Sequence, residues 1–470
     1  MRTVKINNSD NVAVMLDGEL TGHKIALEDI KKGGMVIKYG YPIAHAVTDI
    51  KKGEHVHTHN IATNLKGVIN YEYDPIKIKT VPSGKYTFYG YEREDGSVGI
   101  RNEIWIVNTV GCVNKLSERL AENARRIYGG ECDGIYNFVH PFGCSQLGDD
   151  QRMTQSVLKG LVNHPNAAGV LVLGLGCENN NINVFRAVLG EVNEARVKFL
   201  NAQDHDDEIE EGLKLIGELV EYSKSFKRKE CDISKLAIGL KCGGSDGFSG
   251  ITANPLIGRV SDKLTAAGAS AVLTEVPEMF GAETILMNRC RSRAVFDKTV
   301  KLINDFKDYF IRHGQEIYEN PSPGNKAGGI STLEDKSLGC VQKAGTAYVE
   351  DVLNIGERVR HRGLNLLTGP GNDIVAVTDL TASGCQLILF STGRGTPLGA
   401  PVPTIKISSN TELAQRKSNW IDFDAGPAVF GEDLTDSLIE LIIDVANGRQ
   451  TKNELNGYRE ISIFKDGVTL

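Results

Sequence analysis

The sequence predicts a multidomain α/β protein, with a small all-β module at the N-terminus followed by two α/β domains with mainly parallel sheets. Three observations predict it. The chain has 470 residues, enough for two or three domains. Its first stretch consists of short apolar runs cut by tight-turn dipeptides, the pattern of small β structure. From Ile100 onward, continuous apolar runs alternate with helical periodicity, which implies parallel βαβ units.

The module occupies residues 1–70, with turns at Asp17-Gly18, Lys32-Gly33-Gly34, Tyr39-Gly40-Tyr41-Pro42 and Lys52-Gly53. Residues 71–96 are polar, contain Asp74-Pro75 and Pro82-Ser83-Gly84, and read as a linker. Residues 97–230 form the first α/β domain, with buried runs at Ile104–Val107 and Val170–Leu173 and helical patterns at Leu116–Ile127 and Met153–Val162. The basic run Lys227-Arg228-Lys229 reads as solvated linker before a boundary near residue 230. Residues 231–470 form the second α/β domain, opened by the run Leu236–Leu240 and rich in glycine loops, its alternation weakening after Gly324.

Composition is that of a globular protein, 41% hydrophobic and 24% charged. A net charge of -7 argues against a nucleic acid or an anionic membrane as partner. No apolar run approaches the roughly 18 residues of a membrane helix, and Met1-Arg-Thr-Val-Lys-Ile6 lacks the apolar core of a signal peptide. A cytoplasmic protein acting on a small molecule is expected, and a homo-oligomer is compatible with this.

Three of the ten histidines fall in Gly53-Glu-His-Val-His-Thr-His-Asn60. In an extended segment His55, His57 and His59 share one face, and neutral imidazoles so placed suit a divalent metal. A solvated polar strand face would give the same pattern.

The nine cysteines show neither a disulfide framework nor a C-x-x-C pair. Several end apolar runs, as in Gly111-Cys112, Gly143-Cys144, Gly176-Cys177 and Lys241-Cys242-Gly-Gly. Thiols there either rim a ligand site beyond strand ends or pack as small apolar groups. No phosphate-binding loop of the G-x-x-x-x-G-K-[ST] or G-x-G-x-x-G kind is present, so no ATP or NAD site is read. Glycine loops beside Asn254, Thr392 and Arg394 suit a carboxylate and hydroxyls, although tight turns alone explain about half of such loops. Glu275 and Glu278 follow an apolar run and are candidate bases, with Lys241 and Asp246 of similar standing. Capping or surface charge accounts for the acids equally well.

These strings, together with Gly22-His23-Lys24, Val98-Gly-Ile-Arg101-Asn102-Glu103, Glu319-Asn-Pro-Ser-Pro-Gly-Asn-Lys-Ala-Gly-Gly329, Phe390-Ser-Thr-Gly-Arg-Gly-Thr-Pro397 and the terminal Phe464–Leu470, resemble the altronate/galactarate dehydratase family over the whole chain. His57-Thr58-His59-Asn60 resembles its altronate branch. The resemblance implies an SAF-type N-terminal module and a hydro-lyase converting D-altronate to 2-dehydro-3-deoxy-D-gluconate in hexuronate catabolism. Its cofactor would be a divalent metal, usually iron(II), with manganese(II) as a substitute.

On that reading His57 and His59, with His23, hold the metal. His23, Lys241, Asp246, Glu275 and Glu278 are the catalytic candidates, while Arg101, Asn102, Asn254, Thr392 and Arg394 hold the sugar acid. Dehydration needs a base for the proton beside the carboxylate, an acid for the departing hydroxyl and a Lewis acid for the charge that develops. Alternatives are lyases of galactarate or sulfolactate, a non-catalytic sugar-acid binder, and an iron–sulfur mechanism on Cys112, Cys144, Cys177 and Cys242.

Overall fold

The computed structural model describes residues 2–79, 81–82 and 84–467, so Ser83 and the last three residues of the terminal string lie outside the described residues. The N-terminal module is two antiparallel sheets. One orders Thr3–Val4, Val12–Met15, Lys24–Ala26 and His55–Val56, and the other orders Met35–Lys38, Tyr41–Ala46 and Ile61–Ala62. Val12, Val36, Ile43 and Val56 are buried in its small core.

The segment read as a linker is laid against the C-terminal domain. Tyr71 donates to Glu283 at 2.5 Å, Tyr73 to the carbonyl of Cys290 at 2.9 Å, and Ile76 N–H to Asn288 at 2.9 Å. Its end becomes the strand Thr87–Glu92, which pairs antiparallel with Val98–Gly99 and with Arg228–Asp232. The basic run expected to be solvated linker is therefore an edge strand. Arg228 gives it a role, donating to the carbonyls of Tyr89, Ala446 and Ile100 at 2.6, 2.9 and 2.9 Å.

The middle domain is a four-stranded parallel sheet in the order Ile135–Phe138, Glu103–Asn108, Ala167–Gly174, Val197–Asn201. Helices Asn114–Tyr128 and Glu208–Ser223 cover one face. Gly148–Val162 and Ile182–Leu189 cover the other, in an apolar layer that runs on into the C-terminal domain through Val377, Leu380 and Phe390. Burial on both faces explains the continuous apolar runs of these strands.

The C-terminal domain holds seven parallel strands in the order Val349–Leu353, Gly363–Leu367, Ser270–Leu273, Ala237–Cys242, Leu387–Thr392, Thr404–Ser408, Phe423–Asp424. Parallel alternation thus continues past Gly324, where the sequence pattern thins because loops separate the strands. The strand order reverses between Ala237–Cys242 and Leu387–Thr392, and in the middle domain between Glu103–Asn108 and Ala167–Gly174. Ligands of open parallel sheets bind beyond the carboxyl ends at such reversals. Among the described residues no helix is long and apolar enough to cross a membrane.

Candidate active site

The extended run of the histidine segment ends at Val56, because Asn60 closes a turn over it. His57 N–H donates to Asn60 Oδ1 at 3.0 Å, and Asn60 Nδ2 donates to the carbonyl of His55 at 2.9 Å. This turn leaves His59 exposed, its ring 5.3 Å from that of His55 but its ligand atoms not among those that converge. Ligand atoms of His23, His55 and His57 lie within 4.8 Å of one another. His55, on the histidine face by spacing but outside the ligand set that the resemblance implied, thus stands where His59 was expected.

His23 Nδ1 is 3.1 Å from His55 Nε2, while its Nε2 is 3.3 Å from the carbonyl of Ala327. His57 Nδ1 is 3.1 Å from Ser331 Oγ, which leaves Nε2 free. Burial lowers all three rings, His55 and His57 to about 4, so they are neutral near pH 7 with lone pairs available. Three neutral nitrogens, two of them anchored by their other ring atom to oxygen, fit a divalent ion. An ion between His23 and His55 would replace the hydrogen they now share.

The module is pressed onto the C-terminal domain at this point. A Cβ on Gly247 would lie 1.9 Å from the carbonyl oxygen of Gly22, and one on Gly329 would lie 2.2 Å from it, so only glycines allow the approach. Beneath it Asp335 receives Lys24 at 2.7 Å and Lys38 at 2.9 Å, all three within 2% of full burial. Lys24 Nζ also donates to the carbonyl of Gly329 at 2.7 Å. Burial lowers the Lys24 ammonium to about 8, whereas Lys38 is raised by Asp335 against its own burial. The two cations hold the Asp335 carboxyl far below its usual range, outweighing burial.

Two openings lie over the strand reversal of the C-terminal sheet. A cleft of about 520 Å³ runs between module and sheet, lined by Gly22, Asp246, Gly328, Gly393, Arg394 and Asn410. Asp246 Oδ1 accepts from Phe248 N–H, Ser249 N–H, Ser249 Oγ and Ser409 Oγ at 2.8–3.1 Å, and Oδ2 accepts from Asn410 at 3.1 Å. Burial nevertheless raises its pKa. Arg394 is exposed at the rim, and its N–H is fixed by the carbonyl of Gly244 at 2.9 Å.

A second opening of about 780 Å³ is lined by Cys242, Glu278, Asn325, Lys336 and Asp373. Lys241 bridges Asp373 at 2.7 Å and Glu275, whose other oxygen takes Cys242 N–H at 3.2 Å. Glu275, in a left-handed conformation at φ 71°, is thus tied up behind Lys241, and burial raises it. Glu278 faces the opening, paired with Lys336 at 2.7 Å and receiving Cys340 Sγ at 3.0 Å.

The other expected substrate contacts lie elsewhere. Arg101 and Asn102 precede the strand Glu103–Asn108, at the amino edge of the middle sheet. Arg101 pairs with Glu454 at 2.8 Å, and Asn102 joins Arg93 to Ser223. Both are buried fasteners. Asn254 accepts from Ser391 Oγ at 2.5 Å beneath the sheet end, and Thr392 Oγ1 takes Gly395 N–H at 3.0 Å, so both shape loops. Cys242 is buried against Ser245 Oγ at 2.6 Å in this domain, apart from Cys112, Cys144 and Cys177 in the other. Sequence reading missed Lys24, Lys38 and Asp335, whose burial has no local signature. It also missed Ser409-Asn410, which directly follow the strand Thr404–Ser408.

Family models match three successive stretches of the chain. They are the "Altronate/galactarate dehydratase SAF domain" over 19–64, the "D-galactarate dehydratase/Altronate hydrolase, second domain" over 90–224, and "D-galactarate/Altronate dehydratase, C-terminal" over 233–469. The chain is 51% identical to altronate dehydratase of Escherichia coli (strain K12), with all of both chains covered. It is 52% identical to altronate dehydratase of Bacillus subtilis (strain 168), with 99% of each covered. Galactarate dehydratase (L-threo-forming) of Escherichia coli is 32% identical, over 95% of this chain and 93% of its own.

Proposed function

The chain belongs to the altronate/galactarate dehydratase family, and from that membership we propose that it removes water from D-altronate to give 2-dehydro-3-deoxy-D-gluconate. It is a carbon–oxygen hydro-lyase. The observation carrying the altronate reading is the contrast between 51% and 52% identity to two altronate dehydratases and 32% to the galactarate enzyme. We place the reaction in hexuronate breakdown in the cytoplasm.

The 520 Å³ cleft is the site we assign to the sugar acid. Arg394 at its rim holds the carboxylate as a fork of donors. Asp246 takes the C2 proton on Oδ2, the oxygen with the single protein donor, while Ser249 and Ser409 hold the carboxyl in place through Oδ1. His23, His55 and His57 are the residues that would hold iron(II), or manganese(II) in its place. When bound, the ion supplies a Lewis acid for the negative charge that develops beside the carboxylate. Gly22 and Gly328 bring the module's backbone close enough to narrow the cleft against water.

The test is anaerobic turnover by metal-stripped protein given iron(II), manganese(II), zinc(II) or no metal. D-altronate, galactarate and sulfolactate are offered in turn. The expected result is product from altronate alone, restored by iron(II) or manganese(II). Full activity without metal would overturn the metal assignment, and preferred turnover of galactarate or sulfolactate would overturn the substrate.

A further inference from the structure

Free cysteines are usually among the most buried residues. In this chain Cys112, Cys144 and Cys177 are exposed, while Cys132 and Cys231 are half-buried and Cys242, Cys290, Cys340 and Cys385 are buried. The three exposed thiols lie on three interlocked loops at the carboxyl ends of the middle sheet, beside its strand reversal. Each follows a glycine, and Gly143 and Gly176 adopt φ of 96° and 129° that side chains rarely allow.

The loops are stitched together next to the thiols. Gly111 N–H donates to Phe142 at 2.8 Å, Asn180 N–H to Gly143 at 3.0 Å, and Asn180 Nδ2 to Thr109 at 3.1 Å. Glu178 ties Thr109 Oγ1 at 2.6 Å to Gly176 N–H at 2.7 Å. Two amides serve sulfur or stand ready to: Gln203 Nε2 donates to Cys177 Sγ at 3.7 Å, and the buried Nε2 of Gln146, two residues past Cys144, has no partner. Helices starting at Asn114, Gly148 and Ile182 follow the three loops directly, and their N-termini favour an anionic occupant.

We infer that Cys112, Cys144 and Cys177 hold an iron–sulfur cluster in the middle domain. A mononuclear zinc site would bring its thiolates to about 2.3 Å from one ion. The compact ligand group among the described residues is instead the histidine trio. A polynuclear cluster spreads its thiolates wider, since each binds a different iron. Three thiolates leave one iron of a four-iron cluster without a protein ligand. It is open to an oxygen-bearing molecule such as a hydroxy acid.

The test is independent of turnover, so it can fail or succeed apart from the dehydratase reading. The full-length protein is isolated anaerobically, reconstituted with ferric iron, sulfide and a dithiol reductant, desalted, and assayed for iron, acid-labile sulfide and visible absorption. Stable sulfide in the native protein is expected, with Cys231→Ser and His57→Ala retaining it. Cys112→Ser, Cys177→Ser and the triple variant should lose at least tenfold, with unchanged circular dichroism. Absence of sulfide from the native protein, iron without sulfide, or unchanged sulfide in a folded triple variant would overturn the cluster.

Discussion

At Asp246, burial and a dense set of donors act against each other, and burial prevails in raising its pKa. A base must be ionised to act, so activity should fall on the acid side at a higher pH than an ordinary aspartate would give. Asp246→Asn should lower kcat about 10²–10⁴-fold and abolish that acid limb. A pH profile of kcat/KM for both proteins checks this, and an unchanged profile in the variant would remove Asp246 from proton transfer. Its neighbour Gly393 offers a subtler probe. A Cβ there would lie 2.1 Å from the Asp246 carboxyl carbon, so Gly393→Ala must displace the carboxylate. Stability should fall by about 1–3 kcal/mol while kcat drops as severely as in Asp246→Asn, measured by urea unfolding beside steady-state kinetics.

Among the elements, the N-terminal module is fastened in part by one carboxylate between two buried ammonium groups. Asp335→Asn leaves those cations uncompensated and should cost about 3–5 kcal/mol, read as a lowered urea midpoint. Because the folded Asp335 is held well below its ordinary value of 3.8, its contribution is complete above that range and drains away as pH falls through and below it. Acid titration of unfolding should show this loss in the native protein and not in the variant.

Element identity was largely legible. Turn dipeptides announced the β module, and two-sided burial produced the apolar runs of the parallel strands. The site was half legible. His55, His57 and His59 stood out by spacing and His23 by resemblance, yet that His55 and not His59 joins the compact group depends on a turn closed by Asn60, which a period of two cannot foresee. Arg101 lay in a conspicuous string for a structural reason, and nothing local separates a buried fastener from a ligand-binding arginine.

In the whole molecule, the middle and C-terminal domains are clamped by Arg101 and Arg459 on Glu454 and Glu103, at 2.8–3.2 Å and nearly dry. Arg101→Ala should therefore lower stability by about 3–5 kcal/mol and leave KM for the sugar acid unchanged. Thermal unfolding paired with initial-rate kinetics distinguishes this from a role in substrate binding, which would raise KM. The Lys24–Asp335–Lys38 contact also governs how molecules come and go. A module lifted by a few ångströms would hold separated charges in a gap too narrow to hydrate them, a high point on any opening path. That cost holds the module against the sheet, and the cleft has a standing mouth past Arg394.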